Sequence, residues 1–387
     1  MSAETTSDAQ DVFFMRRALR LAAKGFTPPN PMVGCVIVRD GAIVGEGFHP
    51  FAGQPHAEVF ALREAGEKAK GATAYVTLEP CSHWGRTPPC ADALISAGVA
   101  RVAASTTDAD PRVRGRGLER LRQAGIAITV GVLEARARRL NEAFFHFHET
   151  QTPFITLKTA MTLDGKIATA TGDSQWITSE ASRRYVHLLR AQSGAVLTGI
   201  GTALADDPQL TARLPGIELP RQPLRIIVDS HLRTPPTSRA AEIARANPDF
   251  APLLIAATES ASAEREAALT CPGVEVLRLP ADASGRVDLI SLREALTKRR
   301  IISILTESGG ELNAALIAAG LPQKALFFIA PKLLGGRDAP TPLEGAGFAR
   351  MAQAKPLTSL RSRRFQGDVL LEGYFLTPRP PDAEEAA

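Results

Sequence analysis

The sequence predicts two consecutive α/β domains, each built on a sheet covered by helices. Three observations carry this. The chain has 387 residues, more than a single hydrophobic core usually organises. Short apolar, β-branched runs alternate with stretches of helical period along its length, the pattern of a sheet between helices. Residues 146–153 are polar and aperiodic, and place the boundary between a domain at 1–150 and a second at 151–387.

In chain order, residues 8–24 read as an amphipathic helix, with Phe14, Ala18, Leu19 and Ala22 on one face and Gly25 as its stop. Pro28, Pro29 and Pro31 force an extended loop that displays Asn30. An apolar strand at 33–38 and a second at 43–49 flank Asp40-Gly41, a hairpin signal. Helices follow at 56–70, 90–97, 117–123 and 133–146, with strands at 74–78, 102–105 and 126–130. The second half repeats the alternation, with strands at 154–159, 195–198, 224–228, 253–257, 274–279, 302–306, 325–330 and 369–375. Its helices are expected at 180–192, 289–298 and 312–319, and the Pro- and Glu-rich tail at 377–387 is expected to be disordered.

Composition narrows the function classes. No apolar run reaches the ~18 residues of a membrane span, and residues 1–10 are too polar for a signal peptide. Four cysteines, Cys35, Cys81, Cys90 and Cys271, are too few for a disulfide framework and suit a reducing cytoplasm. A net charge of +4 with no basic stripe of interleaved aromatics gives no reason to expect nucleic acid.

The chemistry concentrates between His56 and Cys90. One imidazole and two thiols, His56, Cys81 and Cys90, are the donor set of a catalytic zinc with an open fourth position. Glu58 would close that position as a ligand, so its expected work is proton transfer. Positions two apart diverge within a helix, so His56 and Glu58 can share a site only at a helix entrance, where Pro55 places them. Cys90 follows Pro88-Pro89, so it too is expected at a helix N-terminus, which favours a thiolate. His83 lies between the cysteines as a candidate fourth ligand to exclude, and Cys35, inside an apolar strand, reads as core. H-x-E followed by P-C-x-x-C is the signature of zinc nucleobase deaminases. Here the first half matches, and the second departs, with eight residues between Cys81 and Cys90.

The longer form, Pro80-Cys81-Ser82-His83-Trp84-Gly85-Arg86-Thr87-Pro88-Pro89-Cys90, resembles the deaminase half of the bifunctional riboflavin-biosynthesis deaminase–reductases. The resemblance extends upstream to Pro29-Asn30-Pro31-Met32-Val33-Gly34-Cys35. Downstream it takes in Leu163-Asp164-Gly165-Lys166, Ser174-Gln175-Trp176-Ile177-Thr178, Leu204-Ala205-Asp206-Asp207-Pro208 and Ala330-Pro331-Lys332-Leu333-Leu334-Gly335. It implies a cytidine-deaminase-like α/β/α sandwich followed by a dihydrofolate-reductase-like α/β domain. One zinc ion and NADPH are the implied cofactors, and a small phosphorylated pyrimidine the implied substrate. A homo-oligomer is expected, with no nucleic-acid or membrane partner.

No G-x-G-x-x-G follows a strand in the second half, which excludes a Rossmann signature. Glu307-Ser308-Gly309-Gly310 stands instead between an apolar strand and a helix, where Gly309 and Gly310 are candidates to receive phosphate. By resemblance, Ala160, Trp176, Thr202, Asp206 and Ser230 fall at the cofactor. Asn30 falls in the deaminase pocket, and Ser174, Arg190, Leu210, Arg213 and Glu307 at the reductase substrate; His49, at the end of the hairpin, is a further pocket candidate. Arg190 and Arg213 suit a phosphate clamp, since guanidinium forks match phosphate oxygens. Lys158 is the candidate to polarise or protonate the sugar where it accepts hydride. Arg233, after the strand ending Val228-Asp229-Ser230, is a candidate for the 2′-phosphate of NADPH. A cytidine- or tRNA-adenosine-type deaminase with an accessory nucleotide-binding domain is the second enzyme reading, and the long Cys81–Cys90 spacing disfavours it. A zinc-stabilised nucleotide-binding module, the non-enzyme alternative, would leave Glu58 dispensable.

Overall fold

The protein is described here by a computed structural model covering residues 9–84 and 88–375. The tail at 377–387 and residues 85–87 of the cysteine motif lie outside the described residues. The chain forms two compact units, Met1–Gln151 and Thr152–Ala387.

Unit 1 contains α1 (Ala9–Ala22), β1 (Gly34–Arg39), β2 (Ala42–Phe48), α2 (Ala57–Ala65) and β3 (Thr73–Val76). It continues with α3 (Cys90–Ser96), β4 (Arg101–Ala104), α4 (Arg116–Gln123), β5 (Ala127–Val130), α5 (Glu134–Leu140) and α6 (Glu142–Thr150). The sheet order is β2-β1-β3-β4-β5, with β1 antiparallel to both neighbours and the remaining pairs parallel. Alternation along β1 divides two cores. Cys35 and Ile37 pack with Ala57, Ala61, Leu94 and Leu121 of α2, α3 and α4. Val36 and Val38 pack with Phe14, Met15, Ala18 and Leu21 of α1 on the opposite face.

Two expectations change here. The helix expected over 133–146 breaks at Asn141, whose φ of −112° leaves the helical region. The Asn141 amide bonds instead to both backbone groups of Met32, at 2.8 and 2.9 Å, and so fixes the loop that carries Asn30. Residues 146–150, read as aperiodic, belong to α6, because buried Phe144, Phe145 and Phe147 give that helix a core face.

Unit 2 begins with β6 (Phe154–Thr162), α7 (Glu180–Ala191), β7 (Ala195–Gly199), α8 (Ile200–Asp206) and β8 (Leu224–Val228). Next come α9 (Arg239–Ala246), β9 (Leu253–Thr258), α10 (Ala263–Leu269), β10 (Val274–Leu279) and α11 (Leu289–Lys298). The unit closes with β11 (Ser303–Glu307), α12 (Gly310–Ala318), β12 (Lys324–Ala330), β13 (Thr358–Phe365) and β14 (Asp368–Tyr374). The nine-stranded order is β10-β9-β8-β7-β11-β6-β12-β14-β13, parallel from β10 through β12 and antiparallel at β14 and β13. Sequence periodicity missed α8, α9, α10 and β13. The three helices have seven or eight residues each, and β13 is exposed along most of its length, so neither leaves a strong apolar pattern. Strands β7, β8 and β9 are covered on one face by α8 and α9, and on the other by α11 and α12.

Candidate active sites

In unit 1, three local structures bring the zinc-type donors together. His56 is the N-cap of α2, with extended backbone (φ −74°, ψ 166°), and Glu58 lies in the first turn. The helix approaches β2 closely there: a Cβ on Gly47 would sit 2.2 Å from the Ala57 carbonyl oxygen. Cys90 opens α3 behind its N-cap Pro89, and Cys81 lies in an irregular segment after β3.

His56 Nδ1 is 3.2 Å from Cys90 Sγ and 3.6 Å from Cys81 Sγ. The Cys90 N–H donates to Cys81 Sγ at 3.3 Å. Ligands ~2.0–2.3 Å from a tetrahedral ion lie roughly 3.3–3.8 Å apart, so the spacing fits one zinc. Among the described residues, these three form the one cluster of His, Cys, Asp and Glu donors all within 4.8 Å of one another. His83 is exposed and outside it, and Cys35 is buried in the core, so the set has three members.

The electrostatics suit a cation. A hydrogen bond from Cys90, and then His56, bring the Cys81 thiol down to about 4, against the burial that opposes its charge. The hydrogen bond with Cys81 lifts His56 to about 9. Cys90 is pushed upward instead, by its hydrogen bond to Cys81 and by burial, against the thiolate its helix N-terminus leads one to expect, so the pair carries its negative charge on Cys81. Glu58 is 3% exposed, burial raises its carboxyl, and Oε2 has no hydrogen-bond partner. An orphaned carboxylate oxygen beside the ligand set is a proton acceptor waiting for its donor.

Next to these residues lies His49, buried, with its ring edge-on to His56 at 5.3 Å. Its Nδ1 is 3.0 Å from the Pro55 carbonyl, which can only accept, so Nδ1 carries the proton. Nε2 is then the acceptor for the Asn30 amide at 3.4 Å, and Asn30 Oδ1 is left to face a hydrogen-bond donor.

In unit 2, the parallel register sets Glu307, the last residue of β11, beside Lys158 of β6. Lys158 Nζ lies 3.3 Å from Glu307 Oε2, while Arg190 from the last turn of α7 grips both carboxylate oxygens at 2.5 and 3.0 Å. Burial opposes the Glu307 charge, but Arg190 and Lys158 outweigh it and hold the carboxyl at about 2. This corrects one expectation: Arg190 does not stand as an open phosphate fork, because its guanidinium is engaged by Glu307 and by the Thr211 carbonyl at 2.9 Å. Arg213 is exposed and braced by Gln209 and Thr211, each at 2.8 Å.

Leu210 differs as well. Its side chain is buried in the core beneath α8 and α9 and its φ is +56°, so only its backbone can meet a ligand. A leucine held in the left-handed region is strained by ~1 kcal/mol or more, a feature that clusters at functional loops. The Gly pair has a packing explanation in part. A Cβ on Gly310 would lie 2.5 Å from both the Thr341 carbonyl oxygen and the Glu344 side chain. The Gly309 N–H already donates to Thr202 Oγ1 at 3.0 Å, so a phosphate there would compete with Thr202.

Of the remaining candidates, Ser174 donates to Asp206 at 3.1 Å, joining the loop before α7 to the end of α8. Trp176 is 60% exposed, under the Arg183 guanidinium at 4.5 Å, with its carbonyl accepting from Lys332 at 2.6 Å. Ala160 packs against the cluster of Val186, Leu326 and Phe328. Ser230 Oγ accepts from the Val287 N–H at 3.0 Å, and Arg233 is exposed on the same loop.

Sequence reading missed several supports. Gln222 bonds both backbone groups of Ala212, at 2.6 and 3.1 Å, and buried Arg225 donates to the Gln209 carbonyl at 3.1 Å, so the loop bearing Leu210 and Arg213 is pinned from β8 and the segment just before it. His187, which burial and then Arg190 and Arg213 push down to about 4, accepts the Arg213 N–H at 3.2 Å. None of these residues sits in a motif, so only their partners reveal them.

Comparison with known proteins finds a family model in each part of the chain. The family model for the cytidine and deoxycytidylate deaminase zinc-binding region matches residues 8–106, and that for the RibD C-terminal domain matches 153–371. The riboflavin biosynthesis protein RibD of Escherichia coli K12 is 48% identical over 374 residues, 94% of this chain and 98% of that protein. The RibD of Synechocystis is 46% identical over 94% of this chain and 96% of that protein. Acinetobacter baumannii RibD superposes with a TM-score of 0.81 at 42% identity, covering 94% of this chain and 98% of that one. A diaminohydroxyphosphoribosylaminopyrimidine deaminase/5-amino-6-(5-phosphoribosylamino)uracil reductase from Thermotoga maritima gives 0.80 at 35% identity, with coverage of 94% and 98%.

Proposed function

The chain belongs to the RibD family of riboflavin-biosynthesis proteins, and from that premise we propose how its residues divide the work of a bifunctional enzyme. It is a zinc-dependent deaminase and an NADPH-dependent reductase. The domain at 1–150 removes ammonia from 2,5-diamino-6-(5-phosphoribosylamino)pyrimidin-4(3H)-one, and the domain at 151–387 reduces the ribosyl side chain to ribityl, giving 5-amino-6-(5-phosphoribitylamino)uracil.

The observation that carries the deaminase assignment is the convergence of His56, Cys81 and Cys90 beside a buried Glu58 with an orphaned Oε2. Those three residues would hold zinc, which would supply the Lewis acidity that activates water for attack. Glu58 takes a proton at Oε2 and returns it to the departing amino group, so that water and amine become carbonyl and ammonia. His49 holds the Asn30 amide with Oδ1 presented to a donor on the substrate. Burial of Glu58 keeps bulk water from short-circuiting the transfer.

In the second site NADPH supplies the hydride. Lys158, fixed by Glu307, sets positive charge where the sugar carbon accepts it, and Arg190 keeps Glu307 ionised and in register. Arg213 meets the substrate phosphate, while Trp176, Thr202, Asp206, Ser230 and Arg233 border the cofactor. No helix among the described residues is long and apolar enough to cross a membrane. We place the enzyme in the cytoplasm as a homo-oligomer acting on a free small molecule.

One incubation tests the assignment. The diaminopyrimidine is supplied with and without NADPH, and the products are identified by mass. Deaminated ribosyl product without NADPH and ribityl product with it are expected. Recovery of unchanged substrate by zinc-loaded protein would defeat the reading.

A further inference from the structure

Glu79 is an anion buried without a counter-ion. It is 3% exposed, lies two residues before Cys81, and forms no ion pair among the described residues. Its carboxylate is nonetheless filled by backbone. Oε2 accepts from the N–H groups of Asp108 at 3.1 Å and Gly115 at 2.9 Å. Oε1 accepts from Gly117 at 2.9 Å and Leu118 at 3.3 Å. Four donors match the ~four lone-pair sites of a carboxylate. Gly117 and Leu118 belong to the first turn of α4, where N–H groups have no partner within the helix.

The neighbouring contact is equally specific. A Cβ on Gly117 would lie 1.8 Å from the Pro80 carbonyl oxygen, so the backbone of Pro80 rests directly on α4. The Glu79 N–H is tied to the Thr106 carbonyl at 2.9 Å. Residues 79–82 belong to no helix or strand, so these bonds take the place of secondary structure just ahead of Cys81. On its other side Cys81 is held by α3, its carbonyl accepting the Ala91 N–H at 3.1 Å and its sulfur the Cys90 N–H at 3.3 Å. The position of the Cys81 sulfur is thus set by two helices, and α4 reaches the chain just ahead of it through Glu79 and Pro80.

We propose that Glu79 is a positioning residue for the metal: its clasp on the start of α4 sets the Cys81 sulfur in the ligand set and governs how firmly zinc is retained. The proposal rests on the reading of His56, Cys81 and Cys90 as the zinc ligands. An amide in place of the carboxylate would turn an NH₂ group toward two backbone N–H donors, releasing part of the clasp. Partners that orient metal ligands typically change metal affinity 10–100-fold when altered.

The test compares full-length wild type, Glu79→Gln, Glu79→Asp and Leu121→Ala, each loaded with zinc and then mixed with excess chelator, with cobalt-substituted samples for absorption spectra. Leu121 is a fully buried core residue of α4 that packs among α2 and α3 and makes none of these hydrogen bonds, so its variant reports loosening of the shared core with the clasp intact. Glu79→Gln should release zinc about 10–100-fold faster and shift the cobalt ligand-field bands, with Glu79→Asp in between. Leu121→Ala should melt earlier yet keep the wild-type release rate and spectrum. Wild-type release and spectra in Glu79→Gln overturn the proposal, as does equal acceleration in Leu121→Ala. Should Glu79→Gln not fold, a wild-type release rate in Glu79→Asp overturns it as well. Wild-type protein that takes up no zinc would instead overturn the zinc reading, and the positioning role with it.

Discussion

Glu307→Gln removes the charge joining Lys158 to Arg190 while keeping the size of the side chain. The carboxyl is held at about 2 instead of its ordinary 4.5. At 1.36 kcal/mol per unit this corresponds to roughly 3 kcal/mol of folding stability. The Glu307 side chain is only 11% exposed, so solvent screening removes little of that. Because the folded value is depressed, the contribution is complete above about pH 4.5 and is lost as pH falls toward about 2. At neutral pH the variant also leaves two cations of 13% and 14% side-chain exposure without their counter-charge. Removing one partner of a buried pair costs about 3–5 kcal/mol, so a loss at or above the charge term is expected. Hydrogen exchange of β6 and β11 amides in the full-length protein reads this stability locally, from pH 7 down to about pH 3. Reductase and deaminase rates measured in parallel should show the first abolished and the second retained. A variant within about 0.5 kcal/mol of wild type at neutral pH, or a wild type whose β6 and β11 protection stays flat on acidification, would refute the reasoning.

Three further outcomes are expected. Glu58→Gln should lower deamination by at least ~10²-fold with zinc content unchanged, since the amide cannot carry the proton; normal deamination would dismiss Glu58 as the shuttle. Arg233→Ala should weaken NADPH use by roughly 10- to 100-fold and barely touch NADH, as loss of a charge-assisted bond of ~1.5–3 kcal/mol requires; equal losses in steady-state kinetics would show that Arg233 does not read the 2′-phosphate. Chains cut between Gln151 and Thr152 should divide the activities, the first part deaminating and the second reducing already deaminated substrate. A folded first part without deaminase activity would count against that division.

The fold class and the family were legible in the sequence by itself, and with them the candidate residues of both sites. Zinc chemistry was legible because ligand identity is a property of side-chain type, and His56, Cys81 and Cys90 stand in a dense local motif. The helix entrances at His56 and Cys90 were legible for the same local reason, each following proline. Tertiary structure decided what depends on partners remote in sequence. Glu79 draws its four donors from residues 29 to 39 positions on, and no local pattern announces a carboxylate that caps a later helix. Arg190 has the composition of a phosphate fork, yet Glu307, 117 residues away, engages it as an ion pair. Leu210 owes its left-handed backbone to a loop pinned by Arg190, Gln222 and Arg225, and Gly310 owes its missing side chain to the close approach of Thr341 and Glu344. Residue type and spacing encode which chemistry is available. Which groups are spent on one another is settled only when strands and helices far apart in the chain are packed side by side, because hydrogen bonds and ion pairs act over a few ångströms regardless of sequence separation.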